Sequence, residues 1–269
     1  MGLLDGKVAF ITGAARAQGR SHAIRLAAEG ADIIAIDICA EAAPVGYATA
    51  TIDDLEETSR LVEKAGRGII ARVADVRDQN ALDAVIAEGV REFGGVDVVV
   101  ANAGISTWDR FWEMSEEKWQ SMLDINLSGV WRTFKAAAPV MISQGRGGSM
   151  IAIASVAGIK SLPAQAHYSA AKHGVVGLTK TAALELGEYG IRVNSIHPWG
   201  VQSPMVDDPT VGTVLAAYPH YANSFGSILP IPMVAEPSDI SDAVVYLASD
   251  MSRCVTGIQL PVDMGATTV

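Results

Sequence analysis

Cysteine is nearly absent: the 269-residue chain holds only Cys39 and Cys254, too few for a disulfide framework or a thiolate-bound metal. Its five histidines never fall in HExxH or HxxxH spacing, so no metal site is expected. Positive charge is also scarce. Twenty Lys and Arg against thirty Asp and Glu leave a net charge of -10, which argues against nucleic acid as a partner, because a phosphate backbone needs clustered cations. No apolar run approaches the roughly 18 residues of a membrane-spanning helix. The opening MGLLDGKVAF lacks the basic flank, long apolar core and cleavage site of a secretion signal. The expectation is a reduced, cytoplasmic protein with no membrane partner. Linkers, charge blocks, low-complexity tracts and internal repeats are missing as well, so residues 1–269 read as one domain.

What is present is alternation. Short apolar, β-branched runs recur at 7–12, 31–37, 68–75, 96–104, 149–155, 191–198 and 257–263, the pattern of strands covered on both faces. Between them, 19–29, 53–65, 79–93, 116–143, 164–188 and 238–249 carry helical spacing. In the long fourth helix Leu127, Val130, Phe134, Ala138 and Met141 share one face. Strand and helix alternating over the whole length predict an α/β fold: a doubly wound parallel sheet, the Rossmann fold, with its ligand at the carboxyl ends of the strands.

The first loop fits that ligand site. TGAARAQGR, residues 12–20, follows an apolar run and opens a helix, so backbone N–H groups there would face a pyrophosphate. Gly13, Arg16, Gln18 and Gly19 are its candidate cofactor contacts. Ala17 stands where a middle glycine is common, and its methyl group is expected to be tolerable only if φ stays negative. Asp37 closes the second strand where an acid would bind ribose hydroxyls, and Cys39, two residues on, is a further candidate cofactor contact. A 2′-phosphate would meet Asp37 as a like charge whereas a free hydroxyl donates to it, which favours NAD over NADP. Arg16 reads either as a solvated loop cation or as a phosphate partner.

The chemistry is carried by YSAAK, which puts Tyr168 and Lys172 four apart on one helix face. A phenol with an ordinary pKa near 10 needs a neighbouring cation to work near neutral pH. Ser155 ends the fifth apolar run. Asn126, in DINLSG, interrupts an apolar helix face, either as a satisfied buried amide or as a working group.

Taken in order, the early TGxxxxxG loop, Asp37, Asp75-Val76, the NAG of 102–104, Asn126, Ser155, Tyr168 and Lys172 resemble the short-chain dehydrogenase/reductase family over nearly the whole chain. The resemblance implies an NAD-dependent alcohol dehydrogenase or reductase. In it Tyr168 is the acid/base, and Lys172 lowers the phenol's pKa and binds the nicotinamide ribose. Ser155 orients the substrate oxygen, and Asn126 anchors a relay water. It further implies that Asp75 and Val76 hold the adenine, Asn102 and Gly104 flank the cofactor, and Val201 with Ser203 meets the carboxamide. Besides Ala17, HPWG departs from the family by placing Trp199 where a glycine is common; Trp199 either covers the nicotinamide pocket or packs under the loop.

A finer resemblance comes from ICAEAAPVGYATATID, an insertion at about 38–53 that is longer than usual for such connections. With GAARAQGRSHAIRLAAEGADIIAIDIC and HPWGVQSPM it is similar to the carveol-dehydrogenase-like, mycofactocin-associated branch. That branch implies a tightly held NAD and an external redox carrier. A substrate lid is expected at about 204–232, rich in apolar and aromatic residues with two acids and no Lys or Arg, which suits an apolar alcohol or ketone. Two other functions compete: a ketoacyl-carrier reductase using NADPH, which Asp37 and the acidic balance oppose, and a non-catalytic NAD-binding scaffold. Small residues Ala164, Ala170, Ala171, Gly174 and Gly177 are expected to let another helix approach, as in the family's homotetramers.

Overall fold

The computed structural model describes residues 2–43, 45–230 and 234–269. Pro44, inside the expected insertion, and Ile231 and Pro232, at the end of the expected lid, lie outside the described residues. Seven strands form one parallel sheet: β1 (Val8–Thr12), β2 (Asp32–Asp37), β3 (Ile69–Val73), β4 (Val98–Ala101), β5 (Gly148–Ile153), β6 (Ile191–Pro198) and β7 (Gln259–Val262). Their order is β3-β2-β1-β4-β5-β6-β7. The chain therefore reverses direction of growth between β1 and β4, and a doubly wound sheet opens its ligand crevice at such a point.

Alternation along each strand builds two cores. Val8 and Phe10 of β1, Ile34 and Ile36 of β2, and Val99 of β4 face one side, where α3 (Gln79–Phe93), α5 (Gly129–Gln144) and α6 (Ala166–Leu186) cover them. Ala9, Ile11, Ile33, Ala35, Val98 and Val100 face the other, under α1 (Ala17–Ala28), α2 (Ile52–Lys64) and α8 (Pro237–Ala248). Burial on both faces explains why the strands read as unbroken apolar runs. Local signals fix several helix ends. Thr51 and Asp54 form a reciprocal capping box before α2, Asp78 caps α3, and left-handed Gly94 and Gly145 stop α3 and α5.

Two expectations need correction, and the expected lid is found to carry helices of its own. The helix read as continuous over 116–143 is α4 (Glu116–Leu123), a wider π turn over Asp124–Ser128, and α5. Its apolar face survives: Val130, Phe134 and Met141 are buried, with Leu127 and Ala138 against the same core. The expected lid is partly ordered as α7 (Pro209–Ala217) and a 3₁₀ turn over Pro219–Phe225. The small residues around α6 do not share one outward face: Ala164 and Ala171 are buried, Gly174 packs on Leu127, and Ala170 and Gly177 are exposed. Among the described residues no helix is long and apolar enough to cross a membrane, and no His, Cys, Asp and Glu cluster fits a metal.

Candidate active site

At the β1–β4 crevice the polar side chains first stitch the strands together. Thr12 Oγ1 accepts from the backbone N–H groups of Asn102 and Ala103, each at 3.1 Å. Asn102 Nδ2 returns bonds to the carbonyls of Thr12 and Gly13 at 3.0 and 3.1 Å. Gly13, at φ 66°, would bring a Cβ within 2.8 Å of Ala103 Cα, and a Cβ on Gly19 would collide with the Gly13 carbonyl. Both glycines thus serve close backbone approach.

Ala17 begins α1, two residues earlier than expected, with φ 45°. The requirement of negative φ is not met: the chain leaves an extended Arg16 and must turn sharply into the helix. Ala17 accepts the left-handed conformation, which costs an L-residue about 1–2 kcal/mol. Asp37 is buried beneath this loop, its Oδ2 accepting from Ala15 N at 3.0 Å and its Oδ1 from Cys39 N at 3.1 Å. Each oxygen keeps further lone pairs for ribose hydroxyls.

A cleft over these elements is lined by Gly13, Arg16, Ala17, Gln18, Gly19, Asp37, Asp75, Val76, Asn102, Gly104 and Ser203. Most of the expected cofactor contacts therefore converge. Cys39 is corrected: Ile38 and Ala40 line the cleft, while Cys39 packs toward the opposite core. Burial, then Asp37 and Asp54, pushes its thiol up to about 11, leaving it protonated. Val201 is buried outside the lining, in a bridge with Ala235, and its carbonyl accepts from Ser203 Oγ at 3.1 Å.

The cleft fits a dinucleotide on its own features. Its walls approach too closely for side chains at Gly13 and Gly19, a carboxylate lies at the β2 end, and Gln18 Oε1 is buried with no hydrogen-bond partner among the described residues. A buried unpaired oxygen in a polar crevice is a place for a ligand donor.

At the other end, Ser155 follows β5 in extended conformation. Lys172, 3% exposed, donates to Ile153 O at 2.9 Å and lies 5.6 Å from the Tyr168 ring centre. Burial pushes its ammonium down to about 8. Tyr168 sits above the ordinary phenol value because burial dominates, and a hydrogen bond with Ser155 offsets part of that rise. The lowering expected of Lys172 does not prevail in this arrangement. Asn126 is fully buried in the π turn, with Oδ1 accepting from Ile105 N at 2.9 Å and Nδ2 donating to Ile105 O at 2.7 Å. Its amide is a clamp on the loop after β4. The wider turn aims it there, as π turns do at functional sites.

Residues 13–267 match the family model described as enoyl-(acyl carrier protein) reductase. The chain belongs to the short-chain dehydrogenase/reductase family. An uncharacterized NAD-dependent oxidoreductase of Mycobacterium tuberculosis is 51% identical over 98% of this chain and 97% of its own. A (-)-trans-carveol dehydrogenase of Rhodococcus erythropolis is 44% identical, with 99% of both chains covered. The crystal structure of a short chain dehydrogenase from Mycobacterium paratuberculosis bound to NAD superposes with a TM-score of 0.97 at 49% identity, covering 100% of both chains.

Several residues of this family member escaped sequence reasoning. Tyr47, in the 38–51 connection, lines the cleft, and its hydroxyl accepts from Ser106 N at 3.0 Å. Burial pushes its phenol up to about 12, so it stays neutral. Asp75 is held by Arg77, with Nε and Nη2 at 2.8 and 2.6 Å from Oδ2, and Arg77 Nη1 reaches Ala42 O at 3.1 Å. Burial raises the Asp75 carboxyl, but the Arg77 bonds outweigh it and hold the group below its ordinary range. His167 is fully buried between Thr107 Oγ1 at 2.7 Å and the Tyr168 N–H at 2.9 Å. The lone aromatic within the insertion was the one available signal for Tyr47; Arg77 and His167 gave none. Trp199 packs under the lid, its ring centre 6.0 Å from Phe225, in a cluster that includes Tyr168.

Proposed function

We propose that the chain is an NAD-dependent oxidoreductase acting on an apolar secondary alcohol or the matching ketone, of the cyclic terpenoid kind. One observation carries the reading: Ser155, Tyr168 and a buried Lys172 come together beyond the end of β5, and the Tyr168 phenol interacts with that of Tyr47, in the lining of the cleft that holds Asp37. The names of the relatives, an NAD-dependent oxidoreductase and a carveol dehydrogenase, support it. Gly13, Gly19, Asp37, Asn102 and Ser203 would hold the dinucleotide, which supplies the hydride acceptor for oxidation and the donor for reduction.

Tyr168 takes the hydroxyl proton in oxidation and returns it in reduction. Ser155 holds the substrate oxygen beside the phenol. Lys172 contributes positive charge that favours the phenolate, and its bond to Ile153 keeps it in place. Asn126 fixes the Ile105 loop and would anchor a water that relays the proton. Trp108, Trp199 and Phe225, with ring centres 5.7 and 6.0 Å apart, give the substrate side an apolar wall suited to an uncharged ring.

Retention of NAD is supported by the cover. Arg77 ties Ala42 and Ser106 ties Tyr47, both in the middle of the 38–51 connection. A side chain at Gly46 would collide with the Asp208 carboxylate at the start of the lid. Release must break these contacts, so the cofactor stays bound between turnovers and a separate redox carrier reoxidises it. The acyl-carrier reading with NADPH sets a 2′-phosphate against Asp37. A scaffold would gain nothing from a desolvated ammonium beside a phenol. Exposed Trp131 and Leu184 on α5 and α6, with Ala170 and Gly177, support assembly into a homotetramer through those helices.

The test is native mass spectrometry of purified protein followed by carveol oxidation with a dye as electron acceptor. NAD-sized added mass, dye-linked turnover and its loss in Tyr168→Phe by about 10²–10⁴-fold are expected. Protein that emerges free of nucleotide and turns over freely with added NAD would remove the retention claim, and equal activity in Tyr168→Phe would remove the catalytic one.

A further inference from the structure

Two buried side chains grip the strand end that carries Ser155. Lys172 Nζ donates to Ile153 O at 2.9 Å, and His197 Nδ1 meets Ser155 O at 2.6 Å. A carbonyl only accepts, so Nδ1 carries the ring proton, and Nε2 accepts from Ser195 Oγ at 2.9 Å. His197 is fully buried, next to last in β6.

The ladder explains why a side chain is needed. Pairing of β5 with β6 runs to Ile153 opposite Ile196, with one more bond from Ala154 N to Ile196 O at 2.8 Å. Beyond it Pro198 has no N–H to offer, so the imidazole supplies a donor past the last backbone rung. Ser155 then turns. Its Oγ accepts from Ala157 N at 3.1 Å, and the same hydroxyl counters the rise that burial imposes on the Tyr168 phenol.

We propose that His197 is a positioning residue for the reaction: by holding the Ser155 carbonyl it fixes the rotation of that residue, and so the placement of Oγ against the Tyr168 hydroxyl. It acts through Ser155, with Ser195 fixing the tautomer. A neutral ring leaves Nε2 free to accept from Ser195. Burial pushes His197 down to about 4; the Ser155 carbonyl and Asp263 oppose this, whereas Lys172 and His173 add to it. The inference rests on the oxidoreductase reading of this site, and its test separates the two.

His197→Leu removes the donor, His197→Asn returns an amide N–H near the same place, and Ser195→Ala frees the tautomer with little change in volume. Tyr168 is titrated in holoprotein by NMR of ¹³C-labelled tyrosine, assigned with Tyr168→Phe, and dye-linked carveol oxidation is followed against pH. In His197→Leu the Tyr168 phenol is expected to titrate at higher pH, because the serine bond that opposes burial is weakened. Its kcat falls about tenfold or more with KM within about twofold, and the alkaline rise of kcat moves up with the phenol. Asn restores most of both, and Ser195→Ala shifts both in the same direction by less. Unchanged Tyr168 titration in His197→Leu, or in Ser195→Ala should the leucine variant fail to fold, overturns the proposal even where kcat drops. If wild-type protein leaves carveol untouched, the substrate reading fails while the titration still decides the role of His197.

Discussion

The two ends of the crevice are built from different materials. At the dinucleotide end the chain spends backbone conformation: Gly13, Ala17 and Cys39 all have positive φ, and Asp37 is occupied by backbone N–H groups. At the other end, besides the π turn that carries Asn126, the cost is desolvation of titratable side chains, with Lys172, His167 and His197 buried and pushed toward their neutral forms. The first end shapes a surface for a large ligand. The second poises proton-holding groups whose energies depend on burial.

That difference is broken most severely at Lys172. Lys172→Met is expected to lower kcat by about 10²–10⁴-fold while leaving the melting temperature unchanged or raised. The sign follows from a folded pKa of about 8, below the roughly 10.4 of an unfolded lysine. Below pH 8 the buried ammonium therefore opposes folding, by about 3 kcal/mol, and removing it offsets the loss of a donor to Ile153. A marked fall in melting temperature by calorimetry would show instead that the ammonium holds the fold together.

The histidines sharpen the same contrast at a smaller scale. His167 and His197 are pushed down to about 4, and His22, buried in α1, to about 3. An unfolded histidine binds its proton near pH 6.5. The histidine contribution to stability is thus level above about pH 7 and is lost as pH falls from about 6.5 toward 4, by a few kcal/mol for each histidine. Melting temperatures at half-unit steps from pH 8 to 4.5 report it; a flat series down to pH 5 would contradict neutral burial. At the dinucleotide end the expected effect is smaller still. Ala17→Gly relieves about 1 kcal/mol of left-handed strain, less the cost of glycine at the helix start, so the melting temperature should rise by a few degrees at most. A lower value would mean that the methyl packs more usefully than its φ costs.

Much of the scaffold was legible because its signals are local. The strand runs of β1, β2, β4, β5 and β6 are buried on both faces, α3 begins and ends where its spacing predicts, and Tyr168 and Lys172 share a face because they are one helical turn apart. The corrections fall where geometry depends on a neighbour. The π turn in 116–143 is set by Asn126 reaching Ile105, and the sign of φ at Ala17 by the direction in which the chain must enter α1. Tyr47 meets Ser106 across 59 residues and His197 meets Ser155 across 42, separations that no periodicity reveals.

The sequence by itself determined the alternating layers, the acid at the end of β2 and the shared helix face of Tyr168 and Lys172, since each is written in residue type and short spacing. Only the tertiary structure decided which protonation states those residues favour, which carbonyls hold them, and how the 38–51 connection is pinned across the crevice. Desolvation and long-range hydrogen bonds exist only once distant segments have packed together.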